Sequence, residues 1–337
     1  MIKIAINGYG RIGRIVHRQM VSLYGKEAEV VAINASSDAE MRRYLLKYDT
    51  LHGRFDADVK VDGDHLSVGG KPVRVVRERD PSKCPWKELG VDIVVEASGK
   101  FRTSELCKPH LVAGAKAVLI TAPPKDDVTM IVRGVNDDQL KKALPIVSAA
   151  SCTTNCIAPI FKVLDESMGI ERGLVCTTHA YTSSQNLVDN STSSSKVRIA
   201  RAAALSIIPS TTGAVKACVK IFPHLKGKVD GMALRVPVPN VSAAYLALTL
   251  KRVTSVEEIH AALTEASKGS LNGILAVEAE QLVSADFISD SHSSIIDMDS
   301  TTVTDGTLVQ ILSWYDNEWG YGTRVTEMAM MMGKLNL

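Results

Sequence analysis

The chain has 337 residues, of which 45% are hydrophobic and 23% charged, with a formal net charge of +2. That length and apolar content suffice for two domains with cores of their own. The near-neutral balance gives no electrostatic footprint for nucleic acid or a bulk anionic membrane, and no apolar run approaches the roughly 18 residues of a membrane span.

In chain order, Met1-Ile2-Lys3-Ile4-Ala5-Ile6 runs straight into a glycine motif and lacks the charged and apolar regions of a secretion signal, so a cytoplasmic protein is expected. Short β-branched apolar runs predict strands at 2–7, 28–34, 92–97, 116–121 and 129–133. Helical patterns fall near 10–23, 38–47, 104–113 and 137–142. This alternation predicts a parallel sheet covered by helices across residues 1–150. Near residue 150 the character changes. A helix begins at Cys152, long strand-like runs follow at 172–182, 228–236 and 242–251, and a helix at 255–267 lies between later strands. The fold class expected is α/β: an N-terminal Rossmann dinucleotide-binding domain, then an α+β catalytic domain over 151–316 on a mostly antiparallel sheet. Val325, Met328, Ala329 and Met332 have helical spacing in the last segment. Asn190 to Lys196 is Ser/Thr-rich and reads as a surface loop.

Two motifs carry chemistry. Gly8-Tyr9-Gly10-Arg11-Ile12-Gly13 is a G-x-G-x-x-G between a strand and a helix. Its glycines permit a tight turn and close backbone approach, and the helix N-terminus then faces a dinucleotide pyrophosphate. The acidic residue that usually closes the second strand and binds the ribose hydroxyls is missing. That strand ends Asn34-Ala35-Ser36-Ser37, with no carboxylate before Asp38. The second motif is Ser151-Cys152-Thr153-Thr154-Asn155-Cys156, which opens a helix with Ser151 as N-cap. A cysteine there has its thiolate stabilised by the helix dipole and free N–H groups, which also suit an oxyanion. Cys156, one turn deeper, reads as a small buried hydrophobe. His179, in a strand-like run, is a candidate base or a satisfied core residue, and spacing alone does not bring it to Cys152. The six cysteines follow no disulfide-framework or zinc spacing, so thiols and no metal site are expected.

At this point the residues resemble a known family, the phosphorylating glyceraldehyde-3-phosphate dehydrogenases. The matching blocks are Ala5 to Arg14, Leu46 to Gly53, Ser151 to Asn155, His179 to Thr182, Ile208 to Gly213, Arg235 to Ser242 and Trp314 to Tyr321. The resemblance implies a homotetramer and a C-terminal helix, within 317–337, that packs back onto the cofactor domain. It implies that Cys152 attacks the aldehyde with His179 as base, that hydride passes to a nicotinamide, and that phosphate attacks the resulting thioester. It assigns the cofactor to Gly8, Gly10, Arg11, Ile12, Gly13, Asn34, Ala35, Ser36, Arg77, Ser98 and Thr121. Asn317 would orient the carboxamide, and Tyr321 would pack near the ring. It puts the substrate phosphate near Thr182 and Arg235, and the attacking phosphate near Ser151, Thr153, Thr212, Gly213 and Arg198.

Three departures stand out. Ala149 replaces an asparagine common among relatives; the Asn190 to Lys196 run replaces a proline-containing basic one; and Ala35 replaces the aspartate of NAD-dependent relatives. An aspartate would repel a 2′-phosphate, whereas Ala35 leaves space and Ser36 and Ser37 offer donors, so NADP is expected to be accepted and preferred over NAD. Arg42, Arg43 and Arg77 are cationic candidates at longer range. The rival activities are erythrose-4-phosphate oxidation, against which Ala180-Tyr181-Thr182 argues, the same reaction with arsenate as acceptor, and a non-enzymatic module that merely keeps the fold.

Overall fold

Buried apolar strands make the centre of the first of two units into which the chain's contacts divide. It comprises Met1–Ser151 and the chain from Gly322 on; the second is Cys152–Tyr321. The computed structural model describes residues 1–192 and 194–335. Ser193, within the Ser/Thr-rich run, and Asn336 and Leu337, at the end of the last segment, lie outside the described residues.

The first unit holds an eight-stranded sheet. Its order is Ile146–Ser148, Ala117–Ile120, Ile93–Glu96, Ile2–Asn7, Ala28–Asn34, Lys71–Val76, His65–Val68 and Val59–Asp62. The first six are mutually parallel, and the last two fold back as antiparallel hairpin strands. Fully buried parallel strands need apolar residues on both faces, which is why Ala117–Ile120 reads as an unbroken apolar run and Ile93–Glu96 as one closed by a single acid. The expected strand at 129–133 is not one. Met130, Ile131 and Val132 are buried, but the segment joins the sheet only through an isolated bridge from Met130 to Ser148. The final helix, Trp319–Gly333, carries the chain back into this unit. There Gln19 Nε2 donates to Thr323 Oγ1 at 2.9 Å, and Thr326 Oγ1 donates to Gln19 Oε1 at 3.0 Å.

In the second unit a seven-stranded sheet runs in the order Ile208–Thr211, Val229–Val236, Ile170–Ala180, Ser242–Leu250, Leu308–Tyr315, Ser294–Thr304 and Leu275–Glu278. Four of its six pairings are antiparallel. The helix Cys152–Ser167 packs on this sheet and against the helices Ala214–Ile221 and Val256–Lys268.

Candidate active site

In the first unit, strand order reverses at Ile2–Asn7, which pairs with Ala28–Asn34 on one side and Ile93–Glu96 on the other. Ligands of open α/β sheets bind outside the carboxyl ends of the strands at such a point. Gly8 follows the first of these strands at φ +97°, and a Cβ there would lie 2.4 Å from the Ser98 backbone nitrogen. A Cβ on Gly13 would lie 2.3 Å from the Gly8 carbonyl oxygen. Gly10 has open space around it and stands at the N-terminus of the helix Arg11–Tyr24 with no side-chain cap, an end whose dipole favours an anion. Both crowded glycines form a cradle only a residue without Cβ can make, and the cleft fits a dinucleotide pyrophosphate. Ile12 is half-buried behind it, and Arg11 forks onto the Asp49 carboxylate, with one contact at 3.1 Å.

A buried carboxylate that the sequence reading missed organises this cleft. Glu96 is 1% exposed. It accepts hydrogen bonds from Asn7 Nδ2, from the Ser98 N–H at 2.9 Å and from the Ser98 hydroxyl. His110 Nε2 lies 3.3 Å from it. Trp86 Nε1, which can only donate, reaches His110 Nδ1 at 3.1 Å, so the imidazole proton sits on Nε2 and points to Glu96. Asn34 Nδ2 donates to Asn7 Oδ1 at 2.7 Å and so joins the neighbouring strand to the network. Ser98 is thus held by Glu96, and the Thr121 hydroxyl donates to the Glu96 carbonyl at 3.1 Å. The available signal was an acidic residue closing an otherwise apolar strand. At the other strand end Ala35 donates its N–H to Val76 at 3.1 Å, while Ser36 and Arg77 are exposed.

The second unit assembles the chemistry from three elements. Cys152 begins its helix, His179 is the penultimate residue of Ile170–Ala180, and the parallel register sets Arg235 beside His179. Cys152 Sγ lies 3.5 Å from His179 Nε2, and Arg235 Nη1 lies 2.8 Å from His179 Nδ1. Nδ1 also lies 2.7 Å from the Ala180 carbonyl, which can only accept, and the Arg235 guanidinium donates to that same carbonyl at 3.1 Å. Nδ1 thus faces an acceptor, the Ala180 carbonyl, and a donor, the Arg235 guanidinium; of the two tautomers, the one with hydrogen on Nδ1 bonds the carbonyl and leaves the Nε2 lone pair toward the thiol. Burial first, and the Arg235 charge second, push the imidazole down to about 4. Burial also pushes the Cys152 thiol up, against the opposing pull of the Thr153 hydroxyl, Arg235 and the first-turn N–H groups. Burial thus works against the thiolate stabilisation that the helix terminus alone would give.

Below this pair, Tyr315 was not anticipated. Its hydroxyl lies 2.9 Å from Thr153 Oγ1 and 2.8 Å from Thr177 Oγ1, tying the nucleophile helix to the base strand. Asn317 is buried, with its Oδ1 accepting from Ser242 Oγ at 2.7 Å, and Tyr321 is buried as well. Val241, next to Ser242, sits at φ +64°, a strained conformation for a β-branched residue. Ser151, in the other unit, is half-buried after Ala150, itself at φ +57°.

Next to Arg235 opens a cavity of about 520 Å³ whose lining includes Ser184, Gln185, Arg198, Ser210 and Thr211. Arg198 is exposed there, and Thr182 Oγ1 lies 2.9 Å from Ser184 Oγ. Thr212 and Gly213 do not line it. Thr212 accepts the Ala214 N–H at 3.2 Å, and Gly213 caps the following helix, so Thr211 is the threonine presented to the cavity.

Comparison with known proteins gives matches along the chain. A family model described as the NAD binding domain of glyceraldehyde 3-phosphate dehydrogenase matches residues 2–104, and one described as the C-terminal domain of that enzyme matches residues 151–317. Glyceraldehyde-3-phosphate dehydrogenase 2 of Bacillus subtilis (strain 168) is 50% identical, over 97% of this chain and 95% of the relative. Glyceraldehyde-3-phosphate dehydrogenase of Geobacillus stearothermophilus is 50% identical over 100% of this chain and 99% of the relative. A chloroplastic glyceraldehyde-3-phosphate dehydrogenase of Arabidopsis thaliana, GAPA1, is 48% identical over 97% and 83% respectively.

Proposed function

The chain belongs to the glyceraldehyde-3-phosphate dehydrogenase family, and on that premise we propose that it oxidises glyceraldehyde 3-phosphate with inorganic phosphate to 1,3-bisphosphoglycerate. The observation that carries this reading is one chain of contacts: a thiol 3.5 Å from an imidazole whose other nitrogen lies 2.8 Å from a guanidinium. It supplies a nucleophile, a base and an anion ligand together.

Cys152 Sγ attacks the aldehyde carbon, and its proton moves to His179 Nε2. Nε2, now a donor, and the Cys152 backbone N–H stabilise the oxygen charge of the hemithioacetal. Covalent attack must come first, because an aldehyde gives up hydride readily only once it is tetrahedral. Gly8, Gly10, Gly13, Asn34, Ser98 and Thr121 would hold a nicotinamide dinucleotide, which when bound would supply the hydride acceptor. The thioester left on Cys152 is attacked by a phosphate oxygen, and the thiolate departs and is reprotonated. Arg235 and Thr182 receive the substrate phosphate, and Arg198 with the cavity hydroxyls receives the attacking one. Arginine suits both because its planar fork binds phosphate oxygens two at a time. The test is turnover with glyceraldehyde 3-phosphate and phosphate that iodoacetate abolishes; an inert protein under these conditions would overturn the reading.

The same proposal names NADP as the preferred cofactor, in a cytoplasmic homotetramer working in glycolysis or gluconeogenesis. Support for the first is Ala35 in place of a ribose-binding carboxylate. Support for a contact with further copies is four exposed apolar side chains, Leu187, Val188, Leu205 and Ile207, on two segments joined by the Ala203 N–H bond to the Asn186 carbonyl at 3.0 Å. Ala35→Asp should swing the ratio of kcat/KM for NADP over NAD toward NAD by about tenfold or more, the scale of one added charge repulsion. A wild type that strongly prefers NAD overturns the cofactor reading.

A further inference from the structure

Arg42 is among the most deeply buried cations of the first unit, at 1% exposure on the helix Ala39–Lys47. It stands at the strand end that lacks an acid. Its Nε donates to Ser37 Oγ at 3.3 Å, and one terminal nitrogen donates to the Ala35 carbonyl. The other, Nη1, is buried without a hydrogen-bond partner. No carboxylate pairs with Arg42 among the described residues. Asp38 bears on it by charge, but the Asp38 carboxylate accepts the Met41 N–H at 2.7 Å as a helix cap, and Glu40 is held by Arg43 at 2.6 Å. Tyr9 bears on it too, from the glycine motif. Burial, and after it the charge of exposed Arg77, pull Arg42 down only to about 10, so it stays a cation at neutral pH.

A buried guanidinium with an idle N–H and no counter-ion is unfavourable unless something else completes it. Here the idle donor, a serine hydroxyl and a second arginine gather where the second strand ends, and Ala35 adds no side chain beyond a methyl group. We propose that Arg42, with Ser37, recognises the phosphate on the adenosine ribose of NADP, and that Arg77 adds positive charge from the solvent side. The inference rests on the reading that this chain takes NADP, and it names the residue that would make the choice. The segment Ala35–Asp38, which Arg42 bonds at Ala35 and Ser37, lies mostly at the surface, and admitting an anion to Nη1 requires it to shift.

The experiment is calorimetric titration of the full-length protein with two probes, 2′,5′-ADP and ADP, which differ by the phosphate at issue. The wild type should bind 2′,5′-ADP more tightly than ADP, with a stronger salt dependence. In Arg42→Met that preference should fall about tenfold or more, the scale of a lost charge-assisted contact, and Arg42→Lys should restore part of it. Thermal denaturation of each variant separates recognition from packing. If Arg42→Met is unstable, the same comparison is read between the wild type and Arg42→Lys, whose single ammonium cannot bridge Ser37, Ala35 and a phosphate at once. A preference that survives both substitutions, or an equal loss for both probes, shows Arg42 to be a loop staple and overturns this inference while the NADP reading stands. A wild type that does not distinguish the probes overturns both.

Discussion

The nucleophile end and the anion end of the catalytic unit share Arg235 and differ in nearly everything else. Around Cys152 the groups are buried and fixed to one another: Thr153 and Thr177 meet on the Tyr315 hydroxyl, and His179 is clamped on both ring nitrogens. Around Arg198 half of the lining is exposed and the rest half-buried, bordering a cavity of about 520 Å³. The contrast follows from what each end does under the proposed function. A proton moves only between groups held within hydrogen-bond reach, so the transfer site is rigid. An incoming anion displaces water and must find its ligands accessible, so the binding site is open.

The comparison is broken most severely at the sulfur. Cys152→Ser should lower turnover by several orders of magnitude while dinucleotide binding persists, because a serine hydroxyl is barely ionised at neutral pH. Cys156→Ser should cost far less. Its sulfur sits 3.5 Å from Ser313 Oγ, fully buried, with the thiol pushed up to about 12 by burial, so it stays protonated and out of reach. Steady-state rates of both variants decide this. Activity that survives in Cys152→Ser and vanishes in Cys156→Ser would reverse the assignment.

Much of this was legible in the sequence, for identifiable reasons. Strands such as Ile2–Asn7 and Ala28–Asn34 announce themselves because most of their residues are buried and apolar on both faces, Lys3 and Glu29 being the charged exceptions near their starts. The hairpin strands between Val59 and Val76 did not, since one face is exposed and Lys60, Asp62, His65 and Lys71 mask the alternation. Residues 129–133 misled for the opposite reason, being apolar because they are buried while lacking a ladder to join. At the site, Cys152 was visible from its own helix, but its pairing with His179 depends on a sheet register that no local pattern encodes. Tyr315 and Glu96 were missed because each is one polar residue at the end of an apolar strand, and only the fold shows how many donors converge on it.

A gentler break is made at the two arginines. Arg235→Ala should raise the KM for glyceraldehyde 3-phosphate about tenfold or more, since a hydrogen bond to a charged group is worth roughly 1.5–3 kcal/mol. Unphosphorylated glyceraldehyde should be affected much less. Arg198→Ala should act chiefly on the KM of inorganic phosphate, and more weakly, because Arg198 is exposed and its charge is screened by solvent. Kinetics with each substrate varied in turn separates the two. Equal losses for phosphorylated and unphosphorylated aldehyde in Arg235→Ala would make it structural, and an unmoved phosphate KM in Arg198→Ala would remove that residue from the acceptor site.

The smallest effect probes the one residue the two ends share. His179 acts as a base only when neutral, and burial together with the Arg235 charge holds its imidazole down to about 4. The sign is fixed by that direction: a depressed imidazole stays neutral as pH falls below its ordinary value of 6.5, and the base is lost only near its lowered one. Arg235→Ala removes the second of the two causes and leaves the first, so the acid limb of the acylation rate should move upward yet stop short of 6.5. The measurement is the pre-steady-state burst with unphosphorylated glyceraldehyde, which carries no titrating phosphate and does not need Arg235 for binding. A limb that stays in place would mean that the 2.8 Å contact between Arg235 and His179 does not set the basicity of the imidazole. A limb that moves upward would mean that a substrate phosphate, by neutralising the same guanidinium, makes His179 a better base at the moment the aldehyde arrives, which is how the open anion end would speak to the closed nucleophile end.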